Sequence, residues 1–437
     1  MHERRHPHHR VERLRALRYH HKLVLSALIA FGVVGVLLAL GKDRVTLRVH
    51  SEYTVADERF FPYLAALEGS QPTSGNAYTV LTNGDQFLPA MLGAIGHAQR
   101  RVLFETYNYE KGVLAARFTT ALASAARRGA RVTLIVDAVG SKKMPRDQWQ
   151  ALRDAGVHLA DYGTLRWYKP QAMNYRSHRK LLIVDGVVAF TGGEGVADKW
   201  LGHAQDPDHW RDTMVKIEGP LVRLLEGAFS DTLVQTQGPV TPVVDPPPPA
   251  PASPSADRAL IVRGTAGSVN DLKRLYMVAI GAASKTLDIC SPYFITDPSS
   301  DWALAQARAR GVRVRVLTDG SHTDARPVKF AGRSHYERLL REGIDIYEYQ
   351  PTMMHTKVMI VDGVWSMFGS ANFDNRSLEM NDELNVVVAD PALADRFRQD
   401  FERDLLVSQR IDQASWARRS VLERIREPFW RWFGEAF

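Results

Sequence analysis

The stretch SHRKLLIVDGVVAFTGG, Ser177 to Gly193, sets one His, one Lys and one Asp against two apolar runs. LLIV (181–184) and VVAF (187–190) read as buried strands, and the Asp185-Gly186 dipeptide between them predicts a hairpin turn. Residues i and i+2 of an extended segment share a face, so His178 and Lys180 point the same way. The pattern H-x-K-x4-D returns at MHTKVMIVDGVWSMFGS, Met354 to Ser370, as His355, Lys357 and Asp362. One copy alone would read as a packed histidine and a surface lysine beside a turn. Two copies with identical spacing, continued by TGGEG (191–195) and FGSAN (368–372), point to a functional pair.

The likeness extends outward. ALASAARRGARVTLIVDAVGS (121–141) is echoed by ALAQARARGVRVRVLTDGSH (303–322), each an Ala-rich helix, a glycine stop and a β-branched strand. LRDAGVHLADY (152–162) parallels LREGIDIYEY (340–349), and RRVLFETYNYE (100–110) parallels KTLDICSPYFI (285–295). The spacing, 182 positions between Gly129 and Gly311 and 177 between the two motif histidines, implies duplication of a whole lobe. Alternating strands and helices predict an α/β fold: two repeated lobes, 76–240 and 259–410, each a mainly buried sheet flanked by helices. Between them TPVVDPPPPAPASPSADR (241–258) reads as a stiff, exposed linker, because proline at this density favours polyproline II.

The 437-residue chain is 45% hydrophobic, 24% charged and carries a net charge of +7. Its single cysteine, Cys290, excludes an internal disulfide framework and any cysteine-based zinc site, and its apolar strand context makes it a core residue. The basic excess gathers in 1–22, where seven Lys/Arg and six His stand against two Glu, a tail suited to nucleic acid or an anionic membrane. Residues 23–40, LVLSALIAFGVVGVLLAL, are free of charge. As a helix they reach about 27 Å, enough to cross a bilayer. No A-x-A-like cleavage site follows, so an uncleaved N-terminal transmembrane anchor is expected, with the amino end cytoplasmic and the lobes outside. At the other end, WARRSVLERIREPFWRWFGEAF (416–437) repeats Val421, Ile425, Phe429 and Trp432 at helical spacing among arginines, which suits an interfacial helix or one packed on a lobe.

Both H-x-K-x4-D copies, with GSANFDNRS and NDELN, resemble the phospholipase D superfamily, and within it the bacterial cardiolipin synthases of phospholipase D type. The resemblance covers about 76 to 410. It implies an active site at the lobe interface in which His178, Lys180, Asp185, His355, Lys357 and Asp362 form the signature set. One His would form a phosphohistidine and the other protonate the leaving group, and Asp185 and Asp362 would be structural or orienting.

The residue types suit that chemistry. Phosphodiester exchange needs a nucleophile, a proton donor and cations for the phosphoryl oxygens. Imidazoles supply the first two near neutral pH, and Lys180 and Lys357 the third. Ser370 and Asn372 add neutral donors for substrate. A histidine works better when a carboxylate fixes its other ring nitrogen. Asp212 in HWRDTMVKI and Glu383 in NDELNVVV, each opening a strand after its motif, are the expected orienting acids, one per lobe. Against the family pattern the first lobe carries Gly195 where the second has Asn372, so one amide donor is missing. No cofactor or metal is called for, since the lysines supply the charge.

The anchor and the aromatic, Arg-rich tail favour anionic phospholipid at a membrane over nucleic acid. The expected reaction is phosphatidyl transfer between two phosphatidylglycerols, releasing cardiolipin and glycerol in a bacterial plasma membrane. Hydrolysis to phosphatidic acid, a membrane-tethered nuclease and a non-catalytic scaffold are the alternatives.

Overall fold

Each copy of the motif folds as the hairpin its turn dipeptide predicts. In the computed structural model, which describes residues 46–163, 175–236, 257–265 and 271–419 together with Lys22 and Ser26, these hairpins lie inside two sheets. The first lobe contributes β1 (Ala77–Thr82), β2 (Arg101–Thr106), β3 (Arg131–Asp137), β4 (His158–Tyr162), β5 (Leu181–Val184), β6 (Val188–Gly192) and β7 (Thr213–Glu218). Their order is β1-β7-β6-β5-β2-β3-β4, parallel through β2, β3 and β4 and antiparallel elsewhere. The second lobe repeats the plan with β8 (Arg258–Gly264), β9 (Thr286–Cys290), β10 (Arg313–Asp319), β11 (Asp345–Tyr349), β12 (Val358–Val361), β13 (Trp365–Gly369) and β14 (Glu383–Ala389). It adds β15 (Ser408–Ile411) on the outer edge of β11. The motif hairpins are β5–β6 and β12–β13, and every residue of β5, β12 and β13 is buried.

Three apolar layers hold the sheets. Helices Gly84–His97, Val113–Arg127 and Arg146–Asp154 cover the outer face of the first sheet. Helices Asp271–Ala282, Pro298–Ala309 and Tyr336–Arg341 cover the outer face of the second. The middle layer is shared. Leu221, Leu225 and Phe229 of helix Leu221–Gln235 and Phe397 and Phe401 of helix Pro391–Leu406 join one cluster with Leu103 and Ile183 of the first sheet and Ile261 and Val386 of the second. Burial of this much apolar area on both faces of the central helices fixes the lobes against each other. An unanticipated helix, Phe60–Leu67, packs Phe60 and Leu64 into the second lobe's outer core although it precedes the first lobe.

The second lobe opens one residue inside the segment assigned to the linker. β8 starts at Arg258, and the buried Asp257 carboxylate accepts from the backbone N–H groups of Gly75 and Asn76 and from Tyr78 Oη–H at 2.5 Å. The rest of the linker, nearly all of the basic tail and of the apolar run 23–40, and the segment 420–437 lie outside the described residues. Among the described residues no helix is long and apolar enough to cross a membrane. Trp416, which opens the segment read as an interfacial helix or one packed on a lobe, is buried at the end of helix Gln413–Ala417, with its ring 5.1 Å from that of Tyr336.

The motif aspartates end the hairpins. Asp185 and Asp362 take left-handed backbone angles, φ 55° and 53°, each followed by a glycine at positive φ, as a tight hairpin turn requires. Their carboxylates turn back onto the start of the neighbouring strand. Asp185 accepts from the N–H groups of Gln99, Arg100 and Arg101 at 2.8–3.0 Å, and Asp362 from those of Ser284, Lys285 and Thr286. Removing such a carboxylate strands several strand-end donors and leaves alanine at positive φ. Asp185→Ala and Asp362→Ala are each expected to lose about 2–3 kcal/mol of stability, read as a lowered urea midpoint at unchanged slope.

Candidate active site

The lobes are stitched together beside each motif histidine. His178 donates its backbone N–H to Asp382 O at 2.8 Å, and Asp382 returns its own to Arg176 O at 2.8 Å. On the other side His355 donates to Arg211 O at 2.7 Å, and Arg211 to Met353 O at 2.9 Å. Each histidine therefore lies alongside the residue that precedes the other lobe's acid. The consequence is a crossed pairing. His178 Nδ1 lies 2.9 Å from Glu383 Oε1, and His355 Nδ1 lies 2.8 Å from Asp212 Oδ2. Both expected acids reach a histidine, and each serves the lobe it does not belong to.

The protonation pattern follows from chemistry. A carboxylate only accepts, so Nδ1 of each imidazole carries the hydrogen and Nε2 keeps its lone pair. Burial pulls both histidines below their usual pKa, His355 to about 3, with the Lys357 charge adding to the effect. Burial opposes ionisation of the acids, but the neighbouring imidazole and lysine outweigh it and hold Glu383 and Asp212 below the usual carboxylate range. At neutral pH the histidines are therefore neutral and the acids charged.

Each acid has further partners. Ser370 Oγ donates to Glu383 Oε2 at 2.5 Å and accepts from Leu384 N–H at 3.0 Å. Ser370, expected as a substrate donor, therefore spends its one proton on the acid and positions it. Asp212 Oδ1 accepts from Thr213 N–H, and Asp212 Oδ2 accepts from the indole N–H of Trp200, both at 2.8 Å. Sequence reasoning missed Trp200, because nothing in the linear pattern reveals that a residue after the first motif faces an acid. It also missed the aromatic walls: the Tyr107 ring stands 5.1 Å from that of His178, and the Trp210 ring 5.1 Å from that of His355.

Lys180 and Lys357 are buried at the same site, each donating to the carbonyl of its own histidine, at 2.7 and 2.6 Å. Burial pulls their ammonium groups down, Lys180 to about 7 and Lys357 to about 8. The charge of each lysine acts on the histidine of the other lobe, so the two lysines and the two neutral imidazoles share one electrostatic space. An entering anion relieves this crowding. Asn372 is 4% exposed and its Oδ1 has no hydrogen-bond partner. Asp185 and Asp362 stand apart, separated from the histidines by β5 and β12, roughly 13 Å of strand. They belong to the scaffold and not to the reacting groups.

The domain family described as "Cardiolipin synthase, PLD-like domain" matches residues 91–224 and 276–405. A probable cardiolipin synthase of Bacillus subtilis is 30% identical over 385 residues, covering 86% of this chain and 75% of its own. Cardiolipin synthase A of Pseudomonas putida is 33% identical over 372 residues, covering 83% and 75%. In fold the chain is similar to the phosphatidylserine synthase of Haemophilus influenzae, with a TM-score of 0.65 at 13% identity over 86% of this chain and 96% of that one. The matched residues include both motif hairpins and both orienting acids, and with the doubled sheet they leave one assignment: this chain belongs to the phospholipase D-like cardiolipin synthase family of enzymes.

Proposed function

We propose that this chain is a membrane-anchored phosphatidyltransferase that joins two phosphatidylglycerols into cardiolipin and releases glycerol. The observation that carries the reading is the pair of crossed His–carboxylate contacts, which gives one neutral imidazole per lobe with a free Nε2.

His178 Nε2 attacks phosphorus, the bond from phosphorus to the glycerol oxygen breaks, and His355 Nε2–H protonates that oxygen. A second phosphatidylglycerol hydroxyl then attacks the phosphohistidine. His355 takes its proton, the P–N bond breaks and cardiolipin leaves. His355 must be protonated for the first step although burial favours its neutral form. A phosphodiester brings a negative charge between the imidazoles, which favours the imidazolium and the charged form of both lysines. The lysines then bind the nonbridging oxygens, and the roles assigned to His178, His355, Lys180 and Lys357 rest on this scheme. The apolar run 23–40 supports delivery of lipid to the site from a bacterial plasma membrane, with the lobes extracytoplasmic.

Full-length protein incubated with phosphatidylglycerol vesicles is expected to release glycerol and cardiolipin in equal amounts. Phosphatidic acid as the sole lipid product would make the chain a hydrolase. Untouched lipid beside degraded DNA would make it a nuclease.

A further inference from the structure

The two halves of the site differ at one loop. After β13 the chain reads Gly369-Ser370-Ala371-Asn372, and after β6 it reads Gly192-Gly193-Glu194-Gly195. The changes are linked. Ser370 steadies Glu383 with its hydroxyl, but at Gly193 a Cβ would fall 2.3 Å from Asp212 Oδ1, so the acid itself occupies that place. Trp200 supplies the missing donor. Its indole then crowds Gly195, where a Cβ would meet Trp200 Cη2 at 3.2 Å and Asn108 Cβ at 3.0 Å. An asparagine cannot stand at Gly195 as it does at Asn372 without displacing them.

The polar group appears one residue earlier. Glu194 is 1% exposed, and its Oε1 is buried without a hydrogen-bond partner. Asn372 Oδ1 in the second lobe is buried and unpartnered too. Leaving a buried polar atom unpaired is costly, so such an atom beside an active site has a bonding position to offer a substrate. Glu194 stands within electrostatic reach of Lys180 at the entry to β5 and of Asp212 at the entry to β7, the residues that flank the phosphate space.

We propose that Glu194 donates its carboxylic O–H to a nonbridging oxygen of the phosphate ester held between His178 and His355, replacing the amide donor that the first lobe lacks. The proposal rests on the phosphodiester reading of the site. Only the protonated acid can donate, and a carboxylate would repel the ester. Burial and the adjacent Asp212 carboxylate both raise the Glu194 pKa, while Lys180 opposes them, and the net shift is well upward. The donor is present below that pKa and lost as pH rises through it.

The test compares full-length wild type, Glu194→Gln and Glu194→Ala on phosphatidylglycerol vesicles and on bis(4-nitrophenyl) phosphate. Glutamine keeps shape and a donor but cannot ionise. Glu194→Gln is expected to stay within about 5-fold of wild-type kcat/KM, while Glu194→Ala falls ~100-fold on both substrates, the loss typical of one transition-state donor. The alkaline fall in activity, to which Lys180 and Lys357 also contribute, becomes shallower in Glu194→Gln because one ionisation is gone. Equal loss in both variants would mean that the carboxyl acts ionised and would overturn the proposal. Wild-type rates in Glu194→Ala, or an unchanged alkaline limb in Glu194→Gln, would do the same. If wild type cleaves the nitrophenyl diester but forms no cardiolipin, phosphatidyl transfer fails, and the variant comparison on the diester still decides the role of Glu194.

Discussion

His178→Ala and His355→Ala are each expected to abolish cardiolipin formation, by at least ~10⁵-fold, and the double variant to be no worse than either single, because groups acting as one unit lose together. The folded state should survive both changes. Removing His178 leaves Glu383 bonded to Ser370, and removing His355 leaves Asp212 bonded to Trp200 and to the Thr213 N–H. Melting temperatures near wild type are the control. The variants separate on bis(4-nitrophenyl) phosphate, whose 4-nitrophenolate departs without a proton. His355→Ala lacks only the proton donor for the first step, so it should release about one nitrophenolate per enzyme in a burst and then stall as phosphohistidine, since no base activates the second nucleophile. His178→Ala has no nucleophile and should show no burst. The reverse pattern would assign the nucleophile to His355. Full activity in either variant would end the two-histidine scheme.

Much of this site is legible in the chain because it is local. The Asp185-Gly186 and Asp362-Gly363 turns, the LLIV and VMIV strands and the same-face pairing of His and Lys follow from two-residue periodicity and turn chemistry, which act over a few residues. Repetition of the whole pattern 177 positions on carries the two-lobe fold. The remainder depends on docking. Glu383 meets a histidine 205 residues away, and no periodicity encodes which lobe it will face. Trp200 reads as an ordinary core residue until Asp212 is seen against its N–H, and Ser370 as a substrate donor until its proton is seen to be committed. Helices Leu221–Gln235 and Pro391–Leu406 look like any amphipathic pair, yet they form the layer between the sheets and so fix the register at which the histidines meet the acids. Glu194 shows the same limit: Gly195 announces a missing amide, but only the crowding by Trp200 explains why the substitute lies one residue earlier.

The crossing of the acids yields the sharpest mechanistic expectation. Asp212→Asn and Glu383→Gln preserve shape and a carbonyl to accept from Nδ1–H, but remove the charge that stabilises an imidazolium or a phosphohistidine. Each should lower kcat by ~10³–10⁴-fold with KM little changed, as when a catalytic histidine loses its carboxylate. The lobe of origin does not predict the phenotype; the contact does. Glu383 lies in the second lobe but holds His178, so Glu383→Gln should mimic loss of the nucleophile, with nitrophenolate release slow from the first turnover. Asp212 lies in the first lobe but holds His355, so Asp212→Asn should keep a rapid burst and slow only the turnover that follows. Were each acid to serve its own lobe in solution, the two burst phenotypes would exchange. Rapid-mixing measurement of the burst in these two variants therefore tests the docking of the lobes as well as the chemistry, because one carboxylate per lobe can reach across only if the sheets stand at the register that the shared central helices impose.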